Sequence, residues 1–290
     1  MPGQLKEVRN RIKSVQNTQQ ITKAMKMVSA AKLRRATERI TQMRPYANKL
    51  TEMLSNIASG SDVTIEFAKE REVKNVLIVV VTSDRGLAGA FNSNIIKLAK
   101  QVISEKFEAH NKAGTITILP IGKKGNDAFR KGYKMHSEYV GLFSQLSFEN
   151  AASVAEWMFD AYSKKEFDQI EIVYSQFKNA GTQLFRTERF LPVAKTPGSG
   201  KSKINYIFEP DQETLVNELV PKILKTQLFK VLLDVNASEH GARMTAMDKA
   251  TENAKELLKD LSIKYNRARQ AAITTELTEI VSGAAALTGR

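Results

Sequence analysis

The chain has 290 residues, no cysteine and a formal net charge of +13, with 42% hydrophobic and 26% charged residues. That length admits one large domain or two small ones with a real core, and the missing cysteine excludes disulfides, thiolate metal sites and thiol redox switching. The longest clean apolar run, Val76–Val81, is far short of the ~20 residues that a membrane span needs.

His110, His136 and His240 are scattered without ligand spacing, so no histidine metal site is expected. The first thirty residues are basic, with Glu7 their one acid, and have no apolar h-region of a secretory signal. A helical pattern starting at Leu5 runs on without a break, which points to a cytosolic start. Charge is distributed unevenly. Residues 1–60 carry 12 Lys/Arg against 3 Asp/Glu, whereas residues 208–290 carry 11 against 12. The asymmetry calls for an acidic partner at the N-terminal segment: nucleic acid, anionic lipid or an acidic protein surface.

Residues 1–60 predict one long helix, clearest over 3–58. Glycine is missing between Gly3 and Gly60, and Pro45 is the one proline, expected to cost a hydrogen bond and bend the helix. Leu5, Val8, Ile12 and Val15 are spaced 3-4-3, and Ile40, Met43, Ala47, Leu50, Leu54 and Ile57 continue with heptad spacing. That is the seam by which helices pair along their length.

Residues 73–195 alternate β-branched runs with amphipathic stretches. Strands are expected at Asn75–Val81, Thr115–Ile121, Met135–Val140 and Gln169–Tyr174, with helices near 93–110, 123–131 and 149–164. Such alternation implies βαβ units and a mostly parallel sheet. A fifth strand, Thr182–Leu191, follows too closely for a crossover and is expected as an antiparallel edge. The reading is a Rossmann-like α/β domain with a five-stranded sheet.

Residues 208–290 predict a second long helix, with Pro210 placed in its first turn. Its seam runs Met244, Met247, Ala250, Ala254, Leu257, Leu261, Tyr265, Ala268 and Ala272. A helix of this length would extend on the order of 115 Å, so the two ends are expected to pair as a protruding antiparallel coiled coil.

Three motifs invite other readings. Thr82–Asn92 contains Gly86 and Gly89 between a strand and a helix, where a dinucleotide-binding fold cradles pyrophosphate, but the spacing is not G-x-G-x-x-G. Pro197-Gly198-Ser199-Gly200-Lys201-Ser202 mimics the end of a P-loop, but Lys195 stands where the leading glycine should be. Lys23, Lys26, Lys32, Arg34, Arg35 and Arg39 make a basic helix that could neutralise phosphates. Tyr46, however, is the one aromatic among the first sixty residues, so no stacking platform accompanies it. A basic nucleic-acid-binding coiled coil and a nucleotide-binding enzyme therefore stay as alternatives, although no catalytic triad or carboxylate pair is apparent.

Several blocks carry a resemblance to a known family. Near the start stand Ser14-Val15-Gln16-Asn17-Thr18-Gln19-Gln20-Ile21-Thr22-Lys23-Ala24-Met25-Lys26-Met27-Val28-Ser29-Ala30 and Arg44-Pro45-Tyr46. Ser83-Asp84-Arg85-Gly86-Leu87 and Ala237-Ser238-Glu239-His240 follow. The end supplies Tyr265-Asn266-Arg267-Ala268-Arg269-Gln270-Ala271-Ala272-Ile273-Thr274 and Glu276-Leu277-Thr278-Glu279-Ile280-Val281-Ser282-Gly283-Ala284-Ala285-Ala286-Leu287. In these blocks the chain resembles the gamma subunits of rotary ATP synthases.

The resemblance implies a non-catalytic central shaft with no cofactor. Its partners would be the α and β subunits of the catalytic head, the epsilon subunit and the membrane rotor ring, with no nucleic acid and no direct membrane insertion. It places Met25, Lys26, Lys32, Arg34 and Arg35 against acidic levers of the β subunits, and Arg269, Gln270 and Thr274 at upper polar contacts with β. Gly283, Ala284, Ala285, Ala286 and Leu287 would form an apolar bearing tip. Without cysteine, the redox control of chloroplast members is not inherited, and a bacterial origin at the cytoplasmic face of the plasma membrane is expected.

Overall fold

A computed structural model of the chain describes residues 2–60, 66–193 and 212–289. Two long helices, α1 (Pro2–Gly60) and α6 (Gln212–Thr288), flank an α/β region. That region comprises β1 (Val76–Val81), α2 (Phe91–Lys106), α3 (Glu108–Ala113), β2 (Ile116–Ile121), α4 (Lys123–Phe129), β3 (Lys134–Met135), α5 (Phe148–Ser163), β4 (Gln169–Asn179) and β5 (Thr182–Leu191). The glycine–lysine–serine segment at 197–202 and Pro210 lie outside the described residues.

The sheet order is β3-β2-β1-β4-β5. β1 is the central strand because all six of its residues are apolar, and all six are fully buried. It pairs parallel with β2 and β4, with Val79 opposite both Leu119 and Ile172. Only β5 runs antiparallel, joined to β4 by a tight turn in which the Asn179 side chain accepts from the Gly181 and Thr182 amides. Phe91, Ile95, Ala99 and Ile103 on α2, and Val154, Met158 and Tyr162 on α5, bury one helical stripe each.

Two expectations are revised. The third strand is confined to Lys134–Met135 instead of reaching Val140. The His136 amide still donates to the Ile118 carbonyl at 2.9 Å, but the pairing goes no further: its ring stacks on Trp157 of α5 at 3.8 Å, and Ser137 and Glu138 face solvent. The helix expected over 93–110 divides at Phe107, which is buried and leaves helical geometry at φ −127°.

By compactness the chain forms two units, residues 29–243 and residues 1–28 with 244–290. In the larger unit the N-terminal seam is buried at Ile40 and Ala47 and half-buried at Met43 and Leu50, and α1 continues through Pro45. In the smaller unit α1 and α6 pair antiparallel. Arg9 donates to the Tyr265 hydroxyl at 2.9 Å, and Lys26 meets Asp248 at 2.5 Å, steps of 17 residues on both helices. Between them Thr251 donates to Thr22. Met247, Ala254 and Leu261 are buried, but Leu257 is 40% exposed and its neighbour Leu258 faces inward. The seam thus steps 4-3 between Ala254 and Leu261, an equally good heptad spacing.

The entry to β1 is clamped by one carboxylate. Asp168 accepts from the amides of Lys74 (2.9 Å) and Asn75 (3.0 Å) and from Arg71 Nε (2.6 Å). Arg71 also donates to the Tyr162 and Phe167 carbonyls and lies over the Tyr162 ring. Burial pushes the Asp168 pKa up, but the amides and the guanidinium outweigh it and hold it below the ordinary carboxylate value. A depressed acid stabilises the fold above its unfolded pKa, and that contribution is lost as pH falls through the folded value. Asp168→Ala is expected to lower stability by about 2–3 kcal/mol at neutral pH. Urea titrations at pH 7 and in acid check this: the difference between wild type and variant should shrink below about pH 4.

Candidate functional site

The loop after β1 is the position where a nucleotide would bind in a dinucleotide fold, and here it is filled from within. Arg243 of α6 donates to the carbonyls of Arg85 and Gly86, both at 3.3 Å, and to Glu239 one turn earlier at 2.7 Å. Ser83 is locked by Asn92, whose side-chain oxygen accepts from the Ser83 amide at 3.0 Å. Phosphate cradles present amides to an anion, whereas this loop turns carbonyls toward a guanidinium. Close beside it, Gly125 donates to the Thr82 hydroxyl, and a Cβ on Gly122 would sit 2.2 Å from the Thr82 carbonyl oxygen. The tip of the loop, Leu87, holds a left-handed φ of 64° and is 65% exposed. Among the described residues, no group of His, Asp and Glu has the arrangement of a metal site.

Charge around Arg243 is concentrated and mostly buried. Burial raises the Glu239 pKa against the pull of Arg243, and Lys32 also faces it. Burial first, then Arg243 and Lys32, depress His240 to about 4. His240 is therefore a neutral imidazole at physiological pH.

The residues singled out from sequence fall into two classes. Lys32, Arg34 and Arg35 are exposed, and Arg34 makes only a solvated pair with Glu38 at 3.2 Å. Met25 is half-buried and Lys26 is tied to Asp248, so these two are partly engaged within the helix pair. On α6, Arg269, Gln270 and Thr274 are exposed, although the Thr274 hydroxyl donates to the Gln270 carbonyl of its own helix. Gly283–Leu287 is exposed as well, with Leu287 at 84%.

Comparison with known proteins decides what this architecture belongs to. The profile of the ATP synthase family matches residues 4–287. A protein of Cytophaga hutchinsonii called ATP synthase gamma chain is 56% identical over 99% of both chains. Those of Christiangramia forsetii and Chlorobium phaeobacteroides are 52% and 51% identical over 98% of this chain and 99% of their own. The chain belongs to the ATP synthase gamma-chain family. Among solved structures, a chain of the Tetrahymena thermophila mitochondrial ATP synthase central stalk and c-ring is 26% identical, with a TM-score of 0.56, over 79% of this chain and 99% of that one. A chain of the Euglena gracilis mitochondrial enzyme has the same fold at 22% identity, with a TM-score of 0.71, covering 99% of this chain and 95% of that one.

Within the gamma-chain fold, sequence reasoning gave no structural role to the buried polar residues: Arg243, Glu239 and His240 beside the loop, and Arg44 with Asp234 at β4. A signal existed. Asp234 interrupts an otherwise apolar run, Val231-Leu232-Leu233, and Glu239 and Arg243 stand one helical turn apart.

Arg243→Ala strands Glu239 in a buried setting, and an unpaired buried charge costs about 3–5 kcal/mol. Arg243→Lys keeps the charge but not the fork and should fall between the two. Urea unfolding of both variants measures this.

The depressed His240 leaves the unfolded chain holding more protons below pH 6.5. Its contribution is thus present in full above 6.5 and falls as pH drops toward about 4. His240→Asn should flatten that part of the stability–pH profile.

Proposed function

We propose that the chain is the central shaft of a rotary, proton-translocating ATP synthase. On this reading 1–60 and 208–290 form the coiled-coil shaft, and 73–195 forms the Rossmann-like body that sits on the membrane rotor ring. The observation that carries the reading, beside family membership, is the antiparallel helix pair in which α6 outlasts α1. Leu5, Lys6 and Arg9 of α1 line one groove with Ala272, Thr275, Glu276 and Glu279 of α6, and α6 continues to Thr288. A long rigid element with one uncovered end is what a shaft seated in a ring requires.

Mechanism then lies in transmission. A proton crossing the membrane delivers about 2.3 kcal/mol per 100 mV, and the shaft passes that on by presenting a different face to each β subunit at each angle. Catalysis belongs to the β subunits, and this chain needs no cofactor. Met25, Lys26, Lys32, Arg34 and Arg35 meet the acidic levers of β. Arg269, Gln270 and Thr274 meet β higher up, and Gly283–Leu287 turns in an apolar bearing. The epsilon subunit binds alongside. No helix among the described residues is long and apolar enough to cross a membrane. The chain thus attaches peripherally through the ring, on the cytoplasmic face.

The basic cluster supplies the test. Exposed pairs are worth at most about 1 kcal/mol each, so single Ala replacements at Lys32, Arg34 or Arg35 should leave assembly and turnover nearly unchanged. Replacing all three by Glu sets like charges against the levers at some rotor angles. Hydrolysis in the assembled complex should then slow by about tenfold, or about 1.4 kcal/mol on the barrier. Proton pumping per ATP should weaken too, with partial rescue by added salt. Reconstituted vesicles, with assembly checked separately, provide the measurement. An assembled triple variant with unchanged rate and coupling at low salt would refute the role assigned to the cluster.

A further inference from the structure

A second basic surface lies on the α/β region, at the opposite end of the sheet from the Arg243 loop. Asn111, Gly114, Ile116, Gly132 and Tyr133 line a groove of about 530 Å³ together with three cations, Arg130, Lys131 and Lys134. It forms where the chain enters β2 and β3, and its lining includes no carboxylate. Asp127 stands 4.0 Å from Arg130, at the limit of an ion pair, and Glu108 pairs with Lys112 at 2.6 Å. Among the described residues Lys131 and Lys134 have no ion-pair partner.

Gly132 adds an independent observation. Its φ is not left-handed, and a Cβ built on it meets nothing within 4 Å. Neither turn geometry nor packing within the chain calls for glycine there. The missing side chain leaves the backbone between Lys131 and Tyr133 open to close approach. The Gly132 amide is bonded to the Phe129 carbonyl at 3.1 Å, so the donors of the groove are side chains, and three cations around an uncrowded backbone are a donor set suited to phosphate.

We propose that this groove binds a phosphate ester group, held by Arg130, Lys131 and Lys134. Arg130 supplies a planar fork suited to two phosphate oxygens, and the two lysines supply point charges on either side of Gly132. The site stands on this chain's residues alone and does not depend on the shaft assignment.

The experiment uses the full chain with two probes, glycerol phosphate in solution and vesicles of phosphatidylglycerol against phosphatidylcholine. Because a net charge of +13 attracts any anionic surface, the variant Lys131→Glu/Lys134→Glu is compared with a control of equal charge change, Lys97→Glu/Lys100→Glu. Both control lysines are exposed on α2, outside the groove. The groove variant is expected to lose about thirtyfold in affinity, as for two cations near an anionic surface, and the control less than about twofold. Circular dichroism establishes that both variants are folded. Groove-specific loss with vesicles alone identifies a lipid headgroup, and groove-specific loss with glycerol phosphate identifies a soluble phosphate ester. Equal loss in both variants, or no binding of either probe by the wild type, overturns the site.

Discussion

One guanidinium ties α1 and α6 to the sheet within the larger unit. Arg44 of α1 donates to the Phe177 carbonyl on β4 at 2.5 Å and to Asp234 of α6 at 3.0 Å, while Asp234 accepts from the Phe177 amide at 3.2 Å. Three elements distant in sequence thus share a single ionic junction. Asp234 is 1% exposed, and burial raises its pKa although the guanidinium and the amide pull it down. A carboxylate so placed tolerates ionisation only with its partner present. Around the junction the surfaces are small and close: Ala36 and Ala237 pack with Phe177, Ser238 donates to the Ser175 carbonyl, and a Cβ on Gly241 would lie 3.1 Å from the Ala180 oxygen. Side chains this short let helix and hairpin backbones approach, and the junction then fixes their register.

The molecule separates its charges by task. Arg44–Asp234 and Arg71–Asp168 link elements, Arg243–Glu239 braces one turn of α6 beneath the loop, and breaking any one strands a desolvated carboxylate. Among the described residues the exposed cations Lys32, Arg34 and Arg35 make no ion pair beyond that of Arg34 with Glu38, although Lys32 also acts at longer range on Glu239 and His240. Surface pairs contribute little to stability, which leaves that cluster free to be set by what lies outside. In a rotating element weak, screened contacts have an advantage, since a deep well at one angle would be a barrier to leaving it.

Much of the fold was readable because periodicity reports burial directly. β1 is six apolar residues and sits in the middle of the sheet; the two heptad stretches mark the paired helices. What escaped was set by contacts that no local pattern encodes. β3 ends at Met135 because His136 finds the face of Trp157, and α2 breaks because Phe107 turns inward. Leu257 and Leu258 are indistinguishable by heptad counting, and only the partner helix chooses between them. The loop at 83–87 looked like a nucleotide motif because glycine there reports a tight turn; that its carbonyls receive Arg243 required the fold.

The uncovered end of α6 makes the same point from the other direction. Ile273, Leu277, Ile280, Val281 and Leu287 are between 49% and 84% exposed, an apolar stripe that a free chain would be expected to bury. Gly283 stands within it, in helical conformation, with nothing within 4 Å of where its Cβ would be. Relative to alanine such a glycine costs about 1 kcal/mol of helix stability, and no contact among the described residues offsets that. Both features are unfavourable for an isolated helix and become sensible once a closely fitting apolar wall surrounds it. On the proposed reading such a wall would supply the burial, and the missing methyl would give it room. The exposed apolar residues and the glycine are thus the physical content of the bearing proposed for Gly283–Leu287.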